Sequence, residues 1–218
     1  MKEITVIAFD LETIPDRSMV NLLPEPEVNK TLKDPVKVAA DYESKKAAQL
    51  DMMGLDPMTN VICCAGWCDG ERSGSIMLKD ESKESIKTLL ESFWEKVSGY
   101  NHFVSFNGRA FDMRCLLLHG MKHGIRPSVD IDAGKYNRGN HSDMRPILSG
   151  EGPFAKGKLD FFAKASLGDH KTEGIDGKMV WDYWQMGAYD LISKYCEHDT
   201  ELTFRLFEMA RIAGLVNI

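Results

Sequence analysis

Residues 4–9 (ITVIAF) are apolar on both alternating faces, the pattern of a central strand covered on both sides. The acidic run FDLET begins at the end of that strand. Residues 14–58 then break the pattern. They hold five of the eight prolines and one helical stretch near 36–50, and they read as an insertion that returns to the sheet. Strands resume at about 60–68 (NVICCAGWC) and 73–79 (SGSIMLK), joined by the turn-like DGERSG. ESKESIKTLLESFWEKV (81–97) has helical periodicity and ends near Gly99. HFVSF (102–106) predicts a strand, Asn107-Gly108 a turn, and 109–122 a helix. Residues 124–158, rich in Gly, Pro and polar types, predict loops. Helices are expected again at 159–166, 176–186 and about 188–213, before Gly214.

Strands followed by mixed strand–helix units predict an α/β fold, a mixed sheet flanked by helices with an insertion after the first strand. There is no internal repeat or convincing linker, so residues 1–218 are expected to form a single domain with its insertion at about 14–58.

Composition narrows the setting more than the chemistry. No apolar run approaches the roughly 20 residues of a membrane-spanning helix, and MKEITVIAFDLET reads as a first strand and not as a signal peptide. An odd count of five Cys, with no signal, favours a reducing, cytoplasmic location over a disulfide framework. The net charge of −6 argues against a protein that coats nucleic acid through a broad basic surface. It leaves room for an enzyme that handles one chain end in a local cleft, because bound cations reverse the field of the acids that hold them.

Three segments place acids where acids are awkward. In FDLET, Asp10 and Glu12 are two apart on a strand and project from the same face; alone, the pair reads as a polar strand end. In FNGRAFD, Asp112 falls in the first turn of a helix, where the helix dipole by itself accounts for a carboxylate. In YCEHDTELTFRLF, Leu191, Tyr195, Asp199, Leu202, Leu206, Met209 and Ala213 fall within one arc of about 80°. Asp199 therefore lies on the stripe expected to face the core. Buried carboxylates are rare unless paired, hydrogen-bonded or bound to a cation, and no Lys or Arg shares that stripe. Four carboxylates converging from a strand and two helices would repel one another strongly without a counter-ion. Two hard divalent cations, Mg²⁺ or Mn²⁺, suit such ligands. A pair roughly 3.5–4 Å apart suits in-line phosphodiester cleavage, one ion activating water and the other stabilising the departing 3′ oxygen.

FDLET, NGRAFD and YCEHD together resemble the three motifs of the DEDD (DnaQ-like) exonuclease superfamily, which has a ribonuclease H-like fold. Tyr195 precedes Asp199 by four positions, the DEDDy form. The alternative subclass would have His at position 194, which is Lys194 here, and His198 is adjacent to Asp199 and unsuited to that role. LDFFAKASLGDHKTEGIDGKMVWDYWQMG extends the resemblance to predicted exonucleases related to the proofreading domain of family B DNA polymerases. It then covers most of residues 1–213, with 14–58 and 124–158 matching loosely.

The resemblance implies a 3′–5′ exonuclease in which Asp10, Glu12, Asp112 and Asp199 hold the metal and Tyr195 orients the attacking water. A Tyr pKa near 10 makes positioning the better role than proton abstraction. Thr13, Asn107 and Phe111, beside the ligands, are candidate contacts to the terminal nucleotide. Asp143, in HSDM, is either a supporting acid or an exposed loop acid. The expected substrate is the 3′ end of nucleic acid, single-stranded DNA or a frayed end, released as nucleoside 5′-monophosphates. RNA trimming and a non-catalytic polymerase-accessory binding module are the alternatives. Proofreading would call on a separate DNA polymerase or replication protein as partner.

Other motifs are weaker. Gly152-x₄-Gly157-Lys158 imitates a P-loop, but Leu159 stands where Ser or Thr would hold Mg²⁺ and no hydrophobic strand precedes it. His119 and His123 have zinc-pair spacing without a third ligand, and a solvated helix face is expected. Cys63, Cys64 and Cys68 read as buried small hydrophobes.

Overall fold

The computed structural model describes residues 3–134, 139–150, 157–172 and 174–218. The P-loop-like segment lies largely outside these residues. Strand β1 spans Val6–Pro15, β2 Asn60–Cys68, β3 Ser73–Met77, β4 His102–Ser105 and β5 His141–Asp143. They form one mixed sheet in the order β3-β2-β1-β4-β5. β1 pairs antiparallel with β2, and β2 with β3, while β4 runs parallel to β1 and to β5.

Helices cover the sheet: α1 is Pro35–Met53, α2 Lys83–Val97, α3 Asp112–His123, α4 Met144–Ser149, α5 Leu159–Leu167, α6 Val180–Gln185 and α7 Tyr189–Ile212. Alternation along β1 separates two cores. Ile7, Phe9 and Leu11 pack with Leu89, Leu90 and Phe93 of α2 and with Met113 and Leu116 of α3. Ala8 belongs instead to a cluster with Leu159 of α5 and with Leu202, Leu206 and Phe207 of α7. Burial of each Leu or Phe stabilises by about 1.5–3 kcal/mol, so both faces are anchored and the register of β1 is fixed. A one-residue slip would send every side chain to the wrong core.

The strands and long helices fall close to the sequence expectation, with informative exceptions. β1 does not end before the acids. It runs on through FDLETIP because β2 pairs with it as far as Pro15, with an irregularity between Glu12 and Thr13. The stretch 124–158 is not all loop: it contains β5 and α4. β5 is three residues of polar type, all buried, so hydropathy gives no sign of it. Its side chains are satisfied internally, with His102 Nε2 2.9 Å from Ser142 Oγ and Ser105 Oγ 2.8 Å from His141 Nε2.

His119 is another correction. It is buried and not solvated, with Nε2 3.0 Å from Asn60 Oδ1, and burial pushes its pKa down to about 4. On α7, Tyr195, Asp199, Leu202 and Leu206 face inward as expected, but Met209 and Ala213 turn outward. Thr203, Phe207 and Ala210 take over the buried face there. Cys63, Cys64 and Cys68 are buried and free, as expected. No helix of the described residues is long and apolar enough to cross a membrane.

Candidate active site

Asp10 and Glu12 point from β1 toward the face covered by α7. The approach of that helix depends on Gly66, which pairs with Asp10 across β1 and β2. A Cβ on Gly66 would lie 2.5 Å from Thr200 Oγ1 and 2.8 Å from the Cys196 carbonyl oxygen. Only glycine lets α7 lie this close to the sheet. Tyr195, Cys196 and Asp199 are thereby brought over the strand that carries the two acids. The Cys196 thiol donates to the Asp10 carbonyl at 3.6 Å. Ligand atoms of Asp10, Glu12 and Cys196 lie within 4.8 Å of one another.

Asp112 arrives from the other side. It is the first residue of α3, and its Oδ1 accepts the Leu11 N–H at 3.0 Å, extending the ladder where β4 has ended. The turn before it is tight. Asn107 has φ +70, and a Cβ on Gly108 would collide with Ser105. Asp143, at the end of β5, is buried and is no exposed loop acid. Its carboxylate accepts the backbone N–H groups of Asn107 (2.7 Å), Arg109 (3.1 Å) and Arg145 (3.2 Å).

The acids perturb one another. Burial, then the charges of Asp112 and Asp199, raise the Asp10 pKa well above the carboxylate range. Burial, then Asp10 and Asp199, do the same to Glu12. Burial pushes Asp112 up to about 7 and also raises Asp199. The Tyr195 hydroxyl is raised by burial and by Asp199, Glu12 and Asp10, so the phenol stays protonated. Asp10, Glu12, Asp112, Asp199 and Tyr195, separated in sequence, thus share one electrostatic environment.

Sequence reasoning missed the cation among them. The Asp199 stripe on α7 has no Lys or Arg, but Lys171, from the loop after α5, makes an ion pair with Asp199 Oδ2. The same ammonium donates to the Tyr195 hydroxyl at 2.6 Å. Burial alone would depress the Lys171 pKa; Asp199, Asp10 and Glu12 outweigh it and raise it. The loop is held on both sides. Asp160 accepts the Lys171 N–H at 3.1 Å, and Thr172 Oγ1 lies 3.0 Å from His198 Nδ1. Nothing in local spacing links positions 171 and 195. Cys196, next to Tyr195 in sequence, carries no motif signal of its own.

The donor set fits a divalent cation. Carboxylate oxygens dominate it, and their ionised forms are disfavoured until positive charge arrives. Asp199 Oδ1 is buried with no hydrogen-bond partner among the described residues. An acceptor without a donor in a dry site is costly, and a cation satisfies it. Of the candidate substrate contacts, Asn107 and Phe111 lie in the turn leading into Asp112. Thr13 is differently engaged: its hydroxyl donates to the Gly54 carbonyl at 2.6 Å and ties β1 to the end of α1.

The model of a family described as a predicted 3′–5′ exonuclease related to the exonuclease domain of PolB matches residues 57–216. No curated protein matches the sequence. Among solved structures, the family B DNA polymerase of the hyperthermophilic archaeon Pyrobaculum calidifontis is similar, with a TM-score of 0.65 and 16% identity. The match covers 98% of this chain and 25% of that one, so the chain spans a quarter of the polymerase's length. The mixed five-stranded sheet with flanking helices is the ribonuclease H-like fold expected of the motifs.

Proposed function

Since the chain belongs to the family of predicted 3′–5′ exonucleases related to the exonuclease domain of PolB, we propose that it removes nucleotides from the 3′ end of single-stranded DNA or frayed duplexes with divalent-metal help. The observation that carries this reading is the convergence of Asp10, Glu12, Asp112 and Asp199, their pKa values raised by burial, beside a buried carboxylate oxygen that lacks a donor. An acid cluster this costly to ionise is hard to explain in a binding module.

In this reading Asp10, Glu12, Asp112 and Asp199 hold two Mg²⁺ or Mn²⁺ ions. When bound, such a pair supplies Lewis acidity for the attacking water and charge stabilisation for the departing 3′ oxygen. Tyr195, kept protonated by burial and by its acidic neighbours, orients water through its hydroxyl and takes no proton from it. Lys171 fixes that hydroxyl by donating to it, and its charge balances Asp199 until metal is bound. Asn107 and Phe111 contact the terminal nucleotide. Water attacks the terminal phosphodiester, the bond from phosphorus to the 3′ oxygen breaks, and a nucleoside 5′-monophosphate leaves.

The test is digestion of 5′-labelled single-stranded DNA and RNA of one sequence, side by side, with Mn²⁺, Mg²⁺ or chelator. The reading expects metal-dependent shortening, faster on DNA. Faster loss of RNA would move the substrate to RNA, and full hydrolysis in chelator would overturn the metal mechanism.

A further inference from the structure

We propose that Arg145 is a positioning residue whose guanidinium fixes the Asn107 amide so that its NH₂ group is presented as a donor to the 3′-terminal nucleotide. The inference rests on the reading of Asn107 as a substrate contact and adds the residue that aims it.

Asn107 is the single non-glycine residue with positive φ among the described residues. Asn tolerates this left-handed conformation better than most residues. It is held there from two directions. Asp143 Oδ1 accepts the Asn107 N–H at 2.7 Å, and the Asn107 carbonyl accepts the N–H groups of Ala110 (3.2 Å) and Phe111 (3.3 Å). The backbone is therefore set by Asp143, whereas the side chain is set by Arg145, whose Nη1 donates to Asn107 Oδ1 at 2.7 Å.

A guanidinium only donates, so it selects one of the two amide orientations: oxygen toward Arg145, NH₂ away from it. No hydrogen bond among the described residues uses that NH₂. The adjoining turn closes on the acid site, because a Cβ on Gly108 would sit 3.3 Å from Asp112 Oδ2. A fixed donor pair on the turn that leads into Asp112 suits an acceptor oxygen of the terminal sugar, base or phosphate. Without Arg145 the amide is free to flip and offer its oxygen instead, which repels such acceptors.

β5 and α4 acquire a purpose in this account. They place Asp143 and Arg145 two residues apart, one carboxylate for the backbone of the Asn107 turn and one guanidinium for its side chain. Arg145 itself need not touch the nucleic acid.

The test uses the full chain with the inactivating Asp10→Asn substitution, so that binding of a fluorescent single-stranded DNA with a free 3′ hydroxyl is measured in Mn²⁺ without digestion. Asn107→Gly removes the amide yet keeps the left-handed backbone unstrained. Asn107→Gly and Arg145→Met should each weaken binding about tenfold, the size of one lost hydrogen bond. The double variant should bind no more weakly than either single one. Arg145→Lys, which retains a donor, should recover part of the loss, a result that a purely steric role for the side chain does not give. In the active background the loss should fall on KM and spare kcat.

Losses that multiply to about a hundredfold would mean that Arg145 acts on nucleic acid independently, and would overturn the proposal. So would unchanged binding in Arg145→Met. If Asn107→Gly binds normally while the unsubstituted chain digests 3′ ends, the substrate-contact reading fails and the clamp with it. If the coupling is found but the unsubstituted chain digests nothing, the clamp stands and the exonuclease reading falls.

Discussion

Replacing Lys171 by Met removes the ammonium that pairs with Asp199 and keeps much of the side-chain volume. In the metal-free protein, Asp199 would then be buried beside Asp10 and Glu12 without its ammonium partner. Breaking a buried ion pair by deleting one partner costs about 3–5 kcal/mol. The Lys171 side chain is 26% exposed and that of Asp199 4%, so the lower end, about 3 kcal/mol, is the better figure. For a chain of this size each kcal/mol moves Tm by about 2–4 °C. Lys171→Met should therefore melt about 6–12 °C below the unsubstituted protein in chelator near pH 8, where Asp112 is ionised. Saturating Mn²⁺ should shrink that gap by at least half, because the ions supply the charge that Lys171 supplied. Differential scanning calorimetry of both proteins, with and without Mn²⁺, gives all four values. Equal melting temperatures in chelator would refute the reasoning, since Asp199 would not depend on Lys171. A gap that is equally large in Mn²⁺ would show that Lys171 is needed for packing and not for charge.

Other perturbations separate the roles within the site. Asp10→Ala should weaken Mn²⁺ binding by calorimetry and lower the cleavage rate by several orders of magnitude. Tyr195→Phe should bind metal normally and lose on the order of 10²–10³ in single-turnover rate; a wild-type rate would reduce Tyr195 to a packing residue. Metal affinity should fall as pH drops through about 7, because Asp112 and the other acids are protonated more readily in the folded protein than as free carboxylates, and metal must displace those protons. The folded-state preference for protons also means that these acids favour the metal-free fold at low pH and lose that contribution as pH rises through their folded pKa values. His102, His119 and His141, each lowered to about 4 by burial, act in the opposite sense. The observable is therefore the Mn²⁺-induced shift in Tm at each pH, in which they cancel; it should grow from about pH 5.5 to 8, and a flat profile contradicts the raised carboxyls. Gly66→Ala should destabilise by about 1–3 kcal/mol as an overpacked contact, measured by denaturant unfolding, and should lower activity by pushing α7 off the sheet.

Much of this site was legible in the residues. The two-residue spacing of Asp10 and Glu12 put both on one face of β1, and an acid on an otherwise apolar helical stripe marked Asp199. Those signals are local and periodic. What stayed hidden depends on long-range contacts. Lys171 comes from a loop and meets Tyr195 across 24 positions of sequence, so periodicity along α7 had no access to it. β5 was hidden because its buried residues are polar and satisfied by distant partners, His102 and Ser105 of β4 and the backbone of the Asn107 turn. His119 was misjudged because its Asn60 partner lies 59 positions away. Met209 and Ala213 were misplaced because an 80° arc describes a straight helix over a uniform surface, and at its C-terminal end α7 packs through Phe207 and Ala210 instead.

The most direct measurement is the fate of a uniformly sequenced, 5′-labelled single-stranded DNA under single-turnover conditions with Mn²⁺, run beside a covalently closed circle of the same sequence. The account predicts a ladder that shortens one nucleotide at a time from the 3′ end, nucleoside 5′-monophosphates as the sole small product, and an intact circle. A nicked circle, or release of nucleoside 3′-monophosphates, would contradict it.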